Sequence, residues 1–312
     1  MPRIPTLSRP PQAPQYRPPS DNNRPAHPNA RPTQPPTKTP GTLGPPAQTF
    51  SQGQPPPLRQ TNDAVPALNT NRVSTLTHGM PAAYLKPALE NGQLSSAYNR
   101  QGPNGDYSRR PKDAEGGGAL GVYTRAQGTH QDKWQAQGYG VGSNKNNAQL
   151  VLNPNLLQNN NGWRASTTDG MGKVPGSSRD DQHGLPQGNP LQRAPLWSKQ
   201  SEAERNTAFN TTVSGRQSKV QNEQVHWQNI PLNNGNLRGV VVTSPQAFNT
   251  VMQTPGAWKS GLPLPTARSG ISDLGYIPVG NQQVPVVGTK GETSQASALK
   301  LAGVLDKDGH LR

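Results

Sequence analysis

Residues 73–79, Val73-Ser74-Thr75-Leu76-Thr77-His78-Gly79, carry the reading that decides the fold. Val73 to Thr77 alternates apolar and polar side chains, the period of a half-buried strand, and runs straight into a His-Gly pair. Ala82 to Leu89 follows with Leu85 and Leu89 on one helical face, and Asn91-Gly92 supplies the stop. Pro87 interrupts that short helix. A strand handing over to a short helix within twenty residues reads as a mixed α+β domain.

Upstream of this stretch the chain changes character. Residues 1–60 hold 18 of the 35 prolines, seven Lys or Arg and one acid, Asp21. Proline pairs and triplets (Pro10–Pro11, Pro18–Pro19, Pro35–Pro36, Pro55–Pro57) favour polyproline II and block helix and sheet ladders. The expectation is a disordered, basic, Pro-rich leader over 1–64, with no apolar core of a secretory signal. Composition agrees along the whole chain: 29% hydrophobic residues over 312, with a mean hydropathy of −0.86, are too few to bury one core throughout.

The absences narrow the chemistry. The chain has no cysteine, which excludes disulfides, thiol nucleophiles and Cys-ligated zinc or iron–sulfur centres. The six His are scattered, and no phosphate loop, GxSxG or HExxH motif occurs. No apolar run is long enough for a membrane span. A net charge of +14 admits nucleic acid as a partner, but the positive charge is spread thinly and no recognition motif accompanies it.

Downstream, Leu120 to Thr124 and Ala148 to Leu152 read as short strands, with a loop of Gly, Pro and charged residues before the first (99–118) and a Gly/Asn/Pro-rich loop after the second (158–195). Ser201-x-x-Glu204 is a capping box that opens a helix to about Thr212. Val220 to Trp227 and Leu237 to Thr243 read as strands, with a helix over Pro245–Gln253. The rest reads as mostly loop, with a short helix from Ser297 to Leu305. The expected organisation is a leader (1–64), an α+β domain (65–255) and a loop-rich C-terminal extension (256–312).

Three fragments of this domain stand in a telling order: Leu76-Thr77-His78-Gly79 at a strand end, Gly121-Val122-Tyr123-Thr124, and Gln221-Asn222-Glu223-Gln224-Val225-His226-Trp227. Together they resemble the three signature strands of the ADP-ribosyltransferase superfamily, in the branch with a His-Tyr-Glu triad that includes diphtheria-toxin-like and poly-ADP-ribose-polymerase-like enzymes. The resemblance covers about half of the chain. It implies a split β-sandwich with short helices and long loops, and NAD as substrate.

On that resemblance, His78 bonds a ribose hydroxyl of the adenosine half of NAD, and the backbone of Gly79 meets the nicotinamide carboxamide. Tyr123 stacks on the nicotinamide ring. Glu223 takes the 2′-hydroxyl of the nicotinamide ribose and stabilises the positive charge that grows as nicotinamide leaves. Gln221 positions the acceptor. Met80 departs from the small Ser or Thr that follows His-Gly in the family. A second assignment within the superfamily uses Arg72, the strand Trp163-Arg164-Ala165-Ser166-Thr167-Thr168, and the same Glu223.

The implied activity is mono-ADP-ribosylation of a host protein or other macromolecule. The acid-poor leader also resembles the export segments of bacterial type III effectors, which implies a toxin or effector secreted by a non-classical route, with a secretion chaperone as a possible N-terminal partner. Two other function classes stand beside it: a non-enzymatic secreted interaction protein, and a basic nucleic-acid-binding protein.

Overall fold

The computed structural model describes residues 57–101, 121–129, 148–159, 162–166, 200–214, 223–261, 271–289 and 295–312, all within one compact unit, Gln48–Arg312. Its strands are β1 (Val73–Met80), β2 (Gln93–Leu94), β3 (Val122–Gly128), β4 (Ala148–Leu152), β5 (Trp163–Ser166), β6 (Glu223–His226), β7 (Ile230–Pro231), β8 (Leu237–Val242), β9 (Trp258–Lys259), β10 (Ile271–Val279) and β11 (Gln282–Thr289). The described α-helices are short: α1 (Leu85–Glu90), α2 (Ala97–Gln101), α3 (Glu202–Ser214), α4 (Pro245–Val251) and α5 (Gln295–Leu301). The chain is therefore α+β, as its sequence reads.

Nine strands form one sheet in the order β5-β6-β3-β1-β4-β8-β11-β10-β9, and β2 pairs with β7 apart from it. The β8–β11 pair is parallel and the other ladders are antiparallel. Val240, Val241 and Val242 of β8 are fully buried, because this central strand is covered on both faces. On one face, here the core face, Leu76, Leu150, Leu152 and Val240 pack with Leu85 of α1, Phe209 of α3 and Phe248 of α4. On the opposite face Val151, Val241 and Val287 pack with Ala298 and Leu299 of α5 and with Val304 and Leu305.

Local chemistry explains the helix boundaries. The capping box forms as expected: Glu204 N–H donates to Ser201 Oγ at 3.2 Å, and Ser201 N–H donates to Glu204 Oε2 at 2.8 Å. Ser244 caps α4 by accepting from Ala247 N–H at 3.1 Å, with Pro245 next in line. Pro87 is the third residue of α1, where its missing N–H costs no helical bond. Gly92, at φ +66°, turns the chain out of that helix.

The structure corrects three expectations. Trp163–Ser166, read as part of a loop, is strand β5, buried through Trp163 edge-to-face on Phe209 at 5.7 Å. The stretch after residue 255, read as mostly loop, contains the long hairpin β10–β11 and adds it to the main sheet. Pro278 and Pro285 conceal these strands in the sequence, since proline lacks the ladder donor. The signal that marks them is Gly280-Asn281 between Val279 and Gln282, with Gly280 at φ +57° as a two-residue hairpin turn requires. Packing onto the domain also begins before residue 65. Arg59 pairs in a β-bridge with Ser201 and forms a 2.8 Å salt bridge to Glu204. The rest of the expected leader, 1–56, lies outside the described residues.

Candidate functional site

The main sheet carries a fork. The ladder of β1 with β3 runs from Val73 to Thr77 and ends there, while its ladder with β4 continues to Met80. Beyond this point β3 pairs with β6 instead, through Val122, Tyr123 and Thr124. His78 and Gly79 thus stand where β1 leaves β3, and Tyr123 stands across the gap.

Register assigns the faces. Leu76, Ala126 and Leu152 are mutually in register on the core face. His78, Thr124 and Leu150 each lie two residues from one of them and share that face. Thr77, Arg125 and Val151 are in register on the opposite face. Gly79, Tyr123 and Gln149 therefore share the opposite face by the same step. Tyr123 pairs with Val225, which puts Glu223 on this face too, one diagonal step away.

Of the sequence-derived residues, Gly79, Tyr123 and Glu223 meet on one face of three neighbouring strands, all partly exposed. The His78 ring belongs to the other face. Its Nδ1 is 2.6 Å from the carbonyl oxygen of Tyr123. A carbonyl only accepts, so Nδ1 carries the proton of this bond. Gln221 lies outside the described residues.

A buried polar layer backs the fork on the core face. Thr124 Oγ1 donates to Gln224 Oε1 at 3.3 Å and lies 2.9 Å from His226 Nε2. Since the hydroxyl proton goes to Gln224, His226 Nε2–H is the donor to Thr124. Burial pushes the His226 imidazole pKa down to about 3, and the nearby His78 acts in the same direction. His226 is therefore neutral at physiological pH and holds a fixed tautomer. Neither Thr124 nor His226 stands out in the sequence, because each occupies an ordinary strand position.

The residues of the second assignment fall elsewhere. Arg72 ends the 3₁₀ turn before β1, at the far end of that strand from the fork, where its carbonyl accepts from Thr129 N–H. Trp163–Ser166 pairs with β6 on the side away from β3. Arg164 there is buried beside Arg205, and burial first, then this like charge, lowers its pKa to about 9. Arg205 lies over the Trp163 ring at 4.5 Å and forms a 3.0 Å salt bridge with Glu202.

Among the described residues no group of His, Asp or Glu is arranged to hold a metal ion. No described helix is long and apolar enough to cross a membrane. No protein-family model matches the chain, and neither does any curated protein or solved structure.

Proposed function

We propose that the fork binds NAD and that the protein is an ADP-ribosyltransferase of the His-Tyr-Glu type, cleaving NAD and passing ADP-ribose to a macromolecular acceptor. The observation that carries this reading is the adjacency of β6, β3 and β1. Residues as far apart as His78 and Glu223 come onto contiguous strands, and the three motifs converge where β1 and β3 separate. This opening in the sheet is also what we assign as the split of an ADP-ribosyltransferase fold.

The chemistry follows from the faces. A nicotinamide ring stacked on Tyr123 lies over Gly79, whose missing side chain leaves room for close approach to the backbone. Glu223, diagonal to Tyr123, is then the carboxylate beside the nicotinamide ribose. As the glycosidic bond to nicotinamide lengthens, positive charge develops on that ribose, and a fixed carboxylate stabilises it. His78 holds the Tyr123 main chain in place through Nδ1, from the other face of the sheet. In this reading the basic leader serves export, by a type III-like route, and the acceptor belongs to a host cell.

The test is incubation of the full chain with NAD labelled in the adenylate phosphate, with and without eukaryotic cell lysate. Transfer predicts label on a protein or nucleic-acid band. Label released only as free ADP-ribose would make the protein an NAD glycohydrolase, and unconsumed NAD would leave an interaction protein as the better reading.

A further inference from the structure

Residues 57–69 form no helix or ladder of their own and none of them is buried, yet the segment is laced to α3 and its cap. Arg59 N–H donates to the carbonyl of Gln200 at 3.2 Å, and its guanidinium meets Glu204 Oε1 at 2.8 Å. Asn206 Nδ2 donates to the carbonyl of Pro66 at 2.8 Å. The Asn210 amide holds two residues at once: its Nδ2 donates to Ala67 O and its Oδ1 accepts from Asn69 N–H, each at 2.8 Å. Asn206 and Asn210 are four residues apart, on one face of the helix. Within the segment, Leu68 alone packs against the core, and it is only half-buried.

This attachment is built almost entirely from polar bonds, each of small net worth, which places it at the low end of local stability. What it braces is the outer strand of the sheet. Phe209 of α3 packs on Trp163 of β5, and the Gln200 side chain brackets Ala165, donating to its carbonyl at 2.9 Å and accepting from its N–H at 3.1 Å. Ser166 of β5 is in turn in register with Glu223 of β6.

We propose that residues 58–69 are a strap that lifts from α3 as one unit while the domain stays folded, and that its closure braces β5 against the strand bearing Glu223. The strap is a device of the fold and stands apart from the NAD reading.

The experiment is native-state hydrogen exchange on the full chain, Asn210→Ala and Arg59→Gln. Alanine strengthens the helix at position 210, so α3 itself is not weakened. Four amides report: Arg59 and Asn69 for the strap, Trp227, which donates to Gly162 O at 2.8 Å, for β5, and Val241 in central β8 for the core. In the unsubstituted chain Arg59 and Asn69 should share one opening equilibrium, larger than that of Val241. In Asn210→Ala both should quicken about tenfold or more, the worth of the lost bonds, with Trp227 quickened and Val241 unchanged. Tryptic cleavage after Arg59 should rise by a similar factor. In Arg59→Gln, exchange at Asn69 should quicken as well. Acceleration confined to the amide beside each substitution would overturn the single unit. Equal acceleration at Val241, or failure of either variant to fold, would show that the segment opens only with the whole domain and would overturn the strap. An unchanged Trp227 would overturn the brace on β5.

Discussion

The His78 ring donates from Nδ1 to the carbonyl oxygen of Tyr123 over 2.6 Å, at the point where β1 and β3 stop pairing. One side chain thus replaces the ladder that the two strands have given up. The bond fixes the main chain of Tyr123, whose own ring faces the other side of the sheet. It ties together a histidine and a tyrosine 45 residues apart in the chain.

Removal of this bond should separate stability from function. In His78→Ala, loss of one hydrogen bond of about 1 kcal/mol lowers the thermal midpoint by about 2–4 °C. NAD turnover should fall by more than tenfold, on the order of 1.4 kcal/mol in the barrier, because the Tyr123 main chain is released at the fork. Calorimetry and a nicotinamide-release assay on the same preparation measure the two effects. A fall in midpoint with full activity would assign His78 to folding alone.

The buried His226 predicts an acid-sensitive fold. In the folded chain its imidazole stays neutral down to about pH 3, whereas in the unfolded chain it takes up a proton near 6.5. Between these values the unfolded state binds more protons, so stability falls as the pH drops through the window. The slope from this one group is at most about 1.4 kcal/mol per pH unit. Urea unfolding at pH 7, 6, 5 and 4 should show it, and His226→Gln, which keeps a donor for Thr124, should flatten the profile. Parallel profiles for the two proteins would contradict the assignment.

The C-terminal segment is predicted to lock the end of β1 and β3 away from the fork. Ser74 Oγ donates to the carbonyl of Gly309, and a Cβ added to Gly309 would lie 2.7 Å from the main-chain oxygen of Thr129. Gly309 also has φ +87°, which side chains disfavour. Gly309→Ala should therefore cost about 1–3 kcal/mol. Hydrogen exchange should quicken at Thr129, next to β3, and at Arg312, whose N–H donates to Val304 at 3.1 Å. Unchanged exchange at both amides would show that the segment is not a lock.

Much of this architecture is legible in the residues, and the parts that are not share physical causes. Leu237–Val242 announces a strand by its apolar run, and Val73–Thr77 by its alternation, although Ser74, Thr75 and Thr77 turn out as buried as Val73 and Leu76. Ser201 and Glu204 announce a helix start because the cap is local. Trp163–Ser166 is too short to show a period, and the strands around Pro278 and Pro285 gain their order from partners rather than from propensity. At the site, His78-Gly79, Tyr123 and Glu223 are visible as motifs. The face of each depends on pairing register, which no single strand reveals. His226 escapes notice for the same reason: burial, not sequence, makes an imidazole unusual.

The most direct test of the account is nicotinamide release from NAD by the full chain and by Glu223→Gln, a neutral side chain of nearly the same shape, with circular dichroism to verify the fold. The account predicts measurable release by the unsubstituted chain and a loss of at least a hundredfold in the variant, about 2.7 kcal/mol of transition-state stabilisation, with an unchanged spectrum. Equal release by the two proteins, or none by either, would contradict it.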